Sequence, residues 1–593
     1  MSLPTPSPSL EPPDWAHCGY ESSANDPVGC RGRALSSGGK CLAHLSSEDR
    51  RQYLSEISPG RDIDFRGTHF SGELLEELFL ATRAPDGNIR MGEANFIEAS
   101  FQEDANFAAA HFTGEALFDH AVFQKAAKFH DVIFAQFASF GGAEFRGSAP
   151  FGRVEFRSEV WFAGAWFSEN IGCGSAKFFG EVWFHDAYIG GNAYFASSNF
   201  SDSAFFENVT VVGGAHFSEC RFEKAEHFGP IVCGGTVDFS STSFDSPVII
   251  EVAASGLELQ RAKWSSKATL RIRYADLDLS DAFFEYPLSI TGRAEPLADS
   301  RGNTVNESIL VDRKPQPRLL SLSGVDATHL LITNINLSAC RFFGAFNLDQ
   351  IQLEGDGFAT SPAGLQRSGF RLAWWTTRRT IAEEHYWRAT RKSSSSAGAR
   401  GWIYPSQESE TIGPAALSLL YRQLRKALED DKNEPDAADF YYGEMEARRH
   451  DRGRPKAERF LLALYWAFSG YGLRASRSLM WLMGAVAGTL LSLTLWGIPK
   501  ESDTSMLTGH VKDDRVTLKV SKSDPVDPDG SLHERITGSR LEKSFRVTAN
   551  SVVFRSAGEE LTTAGTYIEM SSRLIEPIFL GLAILAIRSR VKR

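Results

Sequence analysis

The chain has only 7 cysteines and 7 methionines in 593 residues, and its first stretch, Met1 to Pro13, is Pro- and Ser-rich. That stretch lacks the basic-then-apolar order of a secretory signal, so the first domain is expected to stay in the cytosol. A reducing compartment argues against a disulfide framework. Positive charge is also scarce: the formal net charge is -11, and from Glu93 to Asp245 there are 20 acids against 8 bases. Such an acidic face argues against nucleic acid as a partner. Also missing are a P-loop, a dinucleotide glycine fingerprint, HExxH, a nucleophile elbow and a kinase signature. The chain is therefore read as not an enzyme.

What is abundant is phenylalanine, 43 residues against 14 Tyr and 12 Trp, which asks for a core with one repeated aromatic slot. From Phe96, every eleventh position to Phe239 is Phe except Cys173. A second series, from Phe101 in elevens to Phe244, is Phe except at Ile189, Val211 and Cys233. Steps of five and six therefore alternate. Two residues before these 28 slots stands Ala, Val, Ile or Cys in 25 cases, the exceptions being Ser198, Glu226 and Thr242. Residues i and i-2 share one side of an extended strand but not one face of a helix, so each unit points a small and a large side chain inward. Ile189, Val211 and Cys233 are spaced by 22, as are Gly191, Gly213 and Gly235. Stacked neighbours lie one coil apart, which predicts a 22-residue coil with four faces. Cys173, Cys220, Cys233 and Cys340 are read as plain core residues. At Glu226 a one-residue slip is expected, turning Ala225 inward instead.

The units Ala94-Asn95-Phe96, Ala105-Asn106-Phe107, Ala143-Glu144-Phe145 and Ala275-Asp276-Leu277 resemble the pentapeptide-repeat family. The resemblance spans residues 92–355 and weakens after Phe244. It implies a mainly β protein with a right-handed four-sided β-helix. Ordinary members use five residues on every face, so the alternating sixth residue leaves the turn types open. Leu259, Trp264, Leu270, Leu277, Phe284, Ile290, Ile332, Leu337, Phe342, Leu348 and Leu353 continue the stack, while 291–318 breaks the rhythm and reads as a surface insertion. An open solenoid needs a cap. Within residues 61–91, Ser71 to Thr82 offers a helix with Leu74, Leu75, Leu78 and Phe79 on one face.

In residues 1–60, Cys18, Cys30, Cys41 and His44 fall among Gly and Pro, with His17 as an alternative fourth ligand. Three thiolates and an imidazole complete a closed tetrahedral shell, so the cofactor expected is a structural zinc. A metal would supply folding energy that so small a segment lacks.

Residues 356–476 form a linker. Trp374, Trp375 and Trp387 with Arg378, Arg379, Arg388 and Arg391, followed by Ser393 to Ser396, suit either a membrane-surface helix or a cap over the last coil. Residues 416–429 and 436–449 read as a helical hairpin, with Glu444 and Glu446 on a solvated face. Asp439 to Glu446 and Ser469-Gly470-Tyr471-Gly472 resemble the juxtamembrane region of membrane-bound pentapeptide-repeat proteins, some of which carry a two-helix, potassium-channel-like pore.

Residues 477–593 read as a membrane module with spans at about 479–498 and 570–588. Leu479 to Ile498 holds no charge over 20 residues and carries Trp481 and Trp496 near its ends. Gly484 and Gly488 allow close helix packing. Leu574 to Ile587 includes Glu576 and Pro577 and, unless its helix begins near Tyr567, is short enough to be re-entrant. Basic residues before the first span and after the second place both termini in the cytosol and the chain in the cell membrane. Thr562, Thr563, Gly565 and Tyr567 resemble a cation-channel filter in part, without its second glycine, and Glu576 would then line the water-filled side of the last helix. The function expected is a membrane-tethered scaffold binding a protein partner on the β-helix. The alternatives are a subunit of a channel-like homo-oligomer and a DNA-mimicking regulator.

Overall fold

The computed structural model describes residues 11–23, 26–35, 39–355, 357–368, 371–375, 377–390, 401–404, 411–500, 506–512, 515–521, 526–553 and 560–591. The chain divides into two compact units, Met1–Ile412 with Gln423–Lys432, and Gly413–Arg422 with Asn433–Arg593.

In the first unit the solenoid faces from Ala94 to Phe205 are two-residue strands, each paired in parallel with a strand one coil away, and longer strands such as His227–Asp238 and Val248–Glu258 follow. Ala94 pairs with Ala116, Ala116 with Ala138, and Ala138 with Val160. On the neighbouring face Phe101 pairs with Phe123 and Phe123 with Phe145. The coil is therefore the 22-residue unit that the exceptions indicated. In that first stretch the strands stay short because a corner follows every five or six residues. The five-residue corners are closed by Ala99 N–H donating to Phe96 O and Ala110 N–H to Phe107 O, both at 3.0 Å. Their third residues, Glu98 and Ala109, sit at φ +56°, as a type II turn requires. The six-residue corners use wider bends, which is where Gly191, Gly213 and Gly235 stack. Gly235 N–H reaches Gly213 O at 2.7 Å, and a Cβ on Gly235 would stand 2.8 Å from that oxygen.

This register puts identical rings directly above one another. Phe107 and Phe129 stack at 5.0 Å between centroids and 2° between planes, and Phe129 and Phe151 at 4.8 Å and 4°. Those separations match the ~4.8 Å spacing of paired strands. Adjacent columns meet edge to face, as Phe140 and Phe151 do at 5.4 Å and 85°, the arrangement the ring quadrupole favours.

The exceptions also have physical explanations. Ala225 is buried and Glu226 exposed, as the slip required. Ser198, Cys220 and Thr242 form one inward ladder in which each side chain donates to a carbonyl 25 residues earlier: Cys173 O (2.6 Å), Phe195 O (3.0 Å) and Phe217 O (2.5 Å). A small polar residue is tolerated there because its hydrogen is satisfied. Beyond Phe244 the coil shortens to 20 residues, since Ser243 pairs with Lys263, Lys263 with Phe283, and Ala268 with Leu288. The extra sixth residues thus belong to the first stretch of the stack only, and Leu259 through Leu353 continue the core, all buried.

The insertion between Gly292 and Arg318 folds back as a flap. Its Leu297, Val305 and Leu310 pack on the outward Val232 and Ala253. Glu307 locks it, accepting from Arg273 Nη1 and the Tyr274 hydroxyl, each at 2.9 Å.

Both ends of the stack are closed. Helix α1 (Ser47–Ser55) precedes α2 (Gly72–Ala81), where Ser71 Oγ accepts the Leu74 N–H and Leu74, Leu75, Leu78 and Phe79 are buried. Phe79 meets Phe107 edge-on at 5.1 Å. At the far end, α3 (Ala382–Thr390) lies on the last coils. Its Glu383 accepts the N–H groups of Phe342 and Phe343 at 2.6 and 2.9 Å, standing in for the strand that a further coil would add. Glu384 gathers Arg378 and Arg388, all largely buried. Of the two readings of the Trp/Arg run, α3 is the capping one; Arg391 and Ser393 to Ser396 lie outside the described residues.

Phe140 is fully buried between Phe118 and Phe162, at 5.0 and 5.1 Å. Phe140→Ala is expected to cost about 3 to 5 kcal/mol through lost burial and a cavity, whereas exposed Gln136→Ala is nearly neutral. Thermal melting of the two variants checks this; equal melting contradicts the register.

Candidate functional site

Four side chains near the N-terminus converge. Cys18, Cys30, Cys41 and His44 place their donor atoms within 4.8 Å of one another. Cys30 Sγ lies 3.7 Å from Cys41 Sγ, and His44 Nδ1 lies 3.6 Å from Cys18 Sγ and 3.3 Å from Cys41 Sγ. A tetrahedron with metal–sulfur bonds of ~2.3 Å and metal–nitrogen bonds of ~2.0 Å has edges of ~3.8 Å and ~3.5 Å, close to these separations. A disulfide would need sulfurs at about 2.05 Å, and all seven cysteines are free. The alternative ligand His17 is outside the cluster and instead pairs its backbone with Arg33. The cluster's segment is fastened to the first coil by Arg33 N–H to Arg66 O (2.8 Å) and an Arg31–Glu98 ion pair. The arrangement is closed and suits structure, not catalysis.

The solenoid's outward face carries a second feature that the inward pattern did not reveal. Phe137, Trp161, Trp183 and Phe205 form a lateral column, with centroid separations of 5.3, 6.5 and 4.1 Å. Trp161 is 42% exposed, and on another face Tyr194, 41% exposed, stacks on His216 at 5.1 Å. Partly exposed indole and phenyl rings at this density form a ready contact surface.

In the second unit, α4 (Pro414–Asp430) contributes Tyr421 to a contact with Phe440 and Gly443 of α5 (Glu434–His450). The expectation that Glu444 and Glu446 lie on a solvated face is wrong. They are 2% and 1% exposed, because α5 is buried nearly all round. Glu446 accepts the Tyr471 hydroxyl at 3.0 Å and Arg449 Nη2 at 2.7 Å, and Glu444 pairs with Arg448 at 2.7 Å. Arg449 lies over the Trp466 ring of α6 (Lys456–Ser469) at 4.4 Å, and the Trp466 indole N–H donates to Tyr442 at 2.9 Å. Burial pushes the Tyr471 phenol well above its ordinary value, so it remains a hydrogen donor to Glu446.

Among the described residues two helices are long and apolar enough to cross a membrane: Ala475–Gly497 and Thr563–Arg588. The first is α7 (Ala475–Ser492) with a π-helical end, Leu493–Gly497, and the second lies in α9 (Thr563–Val591), which continues through Pro577. Between them is α8 (Gly538–Val553). Met480, Met483, Leu491, Leu574, Ile578 and Leu585 are exposed, which suits lipid contact better than a soluble core. Trp481, Phe468 and Phe579 cluster where the helices meet.

Thr563, Gly565 and Tyr567 are helical here, in the first turns of α9, and not extended as a filter would be. Thr562 precedes them as a cap, its Oγ1 donating to Trp496 O at 2.7 Å and accepting the Gly565 N–H at 3.0 Å. Gly565 is needed because a Cβ there would stand 2.7 Å from Gly497 Cα. Glu576 is fully buried, and its Oε1 accepts the Thr489 hydroxyl at 2.8 Å. Sequence reasoning missed Thr489, 87 positions away.

Residues 88–133 match the family described as pentapeptide repeats (9 copies), and no curated protein and no solved structure matches the chain. The matched coils share the 22-residue register that runs on to Phe244, so the chain carries a pentapeptide-repeat β-solenoid. It combines that β-solenoid with two C-terminal helices of membrane-crossing length.

Glu446→Ala should cost about 2 to 3 kcal/mol, because it removes the ion pair of the half-buried Arg449 and strands the buried Tyr471 hydroxyl, and Tyr471→Phe about 1 to 3 kcal/mol. The check is thermal unfolding followed by tryptophan fluorescence in detergent, with exposed Glu542→Ala as reference. Melting of Glu446→Ala at the reference temperature would make the network incidental.

Proposed function

We propose that the protein is a scaffold tethered to the cell membrane by two spans, with both termini in the cytosol and the solenoid offering its outward faces to a protein partner. The observation that carries this reading is the lateral column of Phe137, Trp161, Trp183 and Phe205 on a rod whose inward slots are filled by packed rings. A filled interior leaves binding to the outer surface, and aromatic side chains supply much of the energy at protein interfaces. The acidic character of the same stretch favours a partner with basic residues around an apolar contact. Pull-down from membranes with the full chain and with Trp161→Ala/Trp183→Ala tests it. The variant should lose about 2 kcal/mol or more of partner affinity, roughly 30-fold, while the rod stays folded. Recovery of the same proteins by both chains counts against the column as the docking surface.

The order α7, α8, α9 supports a second reading, a channel-like homo-oligomer, since it follows outer helix, pore helix and inner helix. The helical backbone of Thr563–Tyr567 places this reading behind the scaffold. A monomeric mass in detergent would remove it.

We further propose that Cys18, Cys30, Cys41 and His44 hold one structural zinc ion, supported by their tetrahedral spacing. The expected result is about one equivalent of zinc per chain in freshly reduced protein, lost in Cys41→Ser, with destabilisation of the N-terminal segment. Elemental analysis of both proteins measures it; a metal-free wild-type chain contradicts it.

A further inference from the structure

The membrane-length helix pair contains a cleft that neither the scaffold nor the zinc uses. It measures about 360 Å³, and its lining includes Gly488, Thr489 and Ser492 of α7 and Ser571, Ser572 and Glu576 of α9. No lysine or arginine lines it. Glu576 is fully buried, with Oε1 on Thr489 and Oε2 without a hydrogen-bond partner.

The hydroxyl protons decide what the cleft can receive. Thr489 donates its proton to Glu576 at 2.8 Å, Ser571 to Tyr567 O at 2.9 Å, and Ser572 to Glu569 O at 2.9 Å. All three protons are directed at protein acceptors, so what Thr489 and Ser571 have left to offer is oxygen lone pairs. The nearby Glu569 carboxylate is already paired with Arg573 at 2.6 Å, whereas among the described residues no lysine or arginine lines the cleft beside Glu576. An ionised carboxylate is costly within a bilayer unless a positive charge accompanies it. Hard oxygen donors around one negative charge suit an alkali cation and repel an anion, and the volume leaves room for some of its water.

We propose that Glu576, Thr489 and Ser571 form a binding site for a hydrated monovalent alkali cation between α7 and α9. Cation and proton then compete for Glu576 Oε2. The proposal rests on the membrane placement of the helices, which resistance of the full chain to alkaline carbonate extraction tests separately.

The experiment is labelling of the full-length protein in vesicles with a hydrophobic carbodiimide, which takes the proton of a protonated carboxyl and is then attacked at its central carbon by the carboxylate to leave a stable N-acylurea, followed by peptide mass mapping. Labelling is expected at Glu576 and absent in Glu576→Gln. NaCl or KCl, but not choline chloride at equal ionic strength, should slow it about tenfold once the cation stands about tenfold above its dissociation constant. Thr489→Val should weaken that protection. Gly488→Leu should abolish labelling by filling the cleft, since a Cβ at Gly488 meets nothing within 4 Å. Labelling that neither alkali salt slows more than choline would leave Glu576 a proton site alone and overturn the proposal, as would a Glu576 that never reacts.

Discussion

The structure depends on a coincidence of two lengths. Parallel strands pair at ~4.8 Å, and flat aromatic rings stack comfortably at nearly the same separation. A coil that returns each Phe over its predecessor therefore satisfies the backbone ladder and the side-chain core with one register. The Phe columns keep centroid separations such as 4.7 Å for Phe101 and Phe123 and 4.9 Å for Phe195 and Phe217. Inward positions are wholly committed to this packing, so ligands and partners are left with the outer faces, the ends and the helical unit.

Stacking also leaves two open ends, which the protein closes by different chemistry. At the start an apolar helix face meets the first Phe columns, and the Cys/His cluster ties a short segment beside it. At the far end Glu383 supplies acceptors to backbone amides, and Glu384 neutralises two arginines. Burying that many charges is tolerable only because each is matched within hydrogen-bond reach.

The coil length was legible because Ile189, Val211 and Cys233 broke the pattern at intervals of one coil. The shortening after Phe244 was not, since Leu, Ile and Trp share those later slots and blur the period. Corner geometry was hidden too: left-handed φ at Glu98, Ala109 and His120 falls on residues of no common type. The four metal-ligand candidates could be named from residue type and proximity in sequence. Glu444 and Glu446 were misread because a polar residue on a helix is usually its exposed side, whereas here Tyr442, Trp466 and Tyr471 enclose it. Nothing local could join Glu576 to Thr489, because only the packing of α7 on α9 brings them together.

The most direct test of the stacking register is to shorten the rod by a whole coil or by one face. Deleting 119–140 removes one coil and rejoins Phe118 to Gly141 in the frame it had with Asp119, because Ala116 pairs with Ala138. Deleting 119–123 instead sets two six-residue steps side by side and puts every later Phe on the wrong column. Hydrogen exchange of the backbone amides distinguishes them. The account predicts that the whole-coil deletion keeps the protection of the coils on both sides and the one-face deletion loses it; equal protection in both would contradict the stacked register.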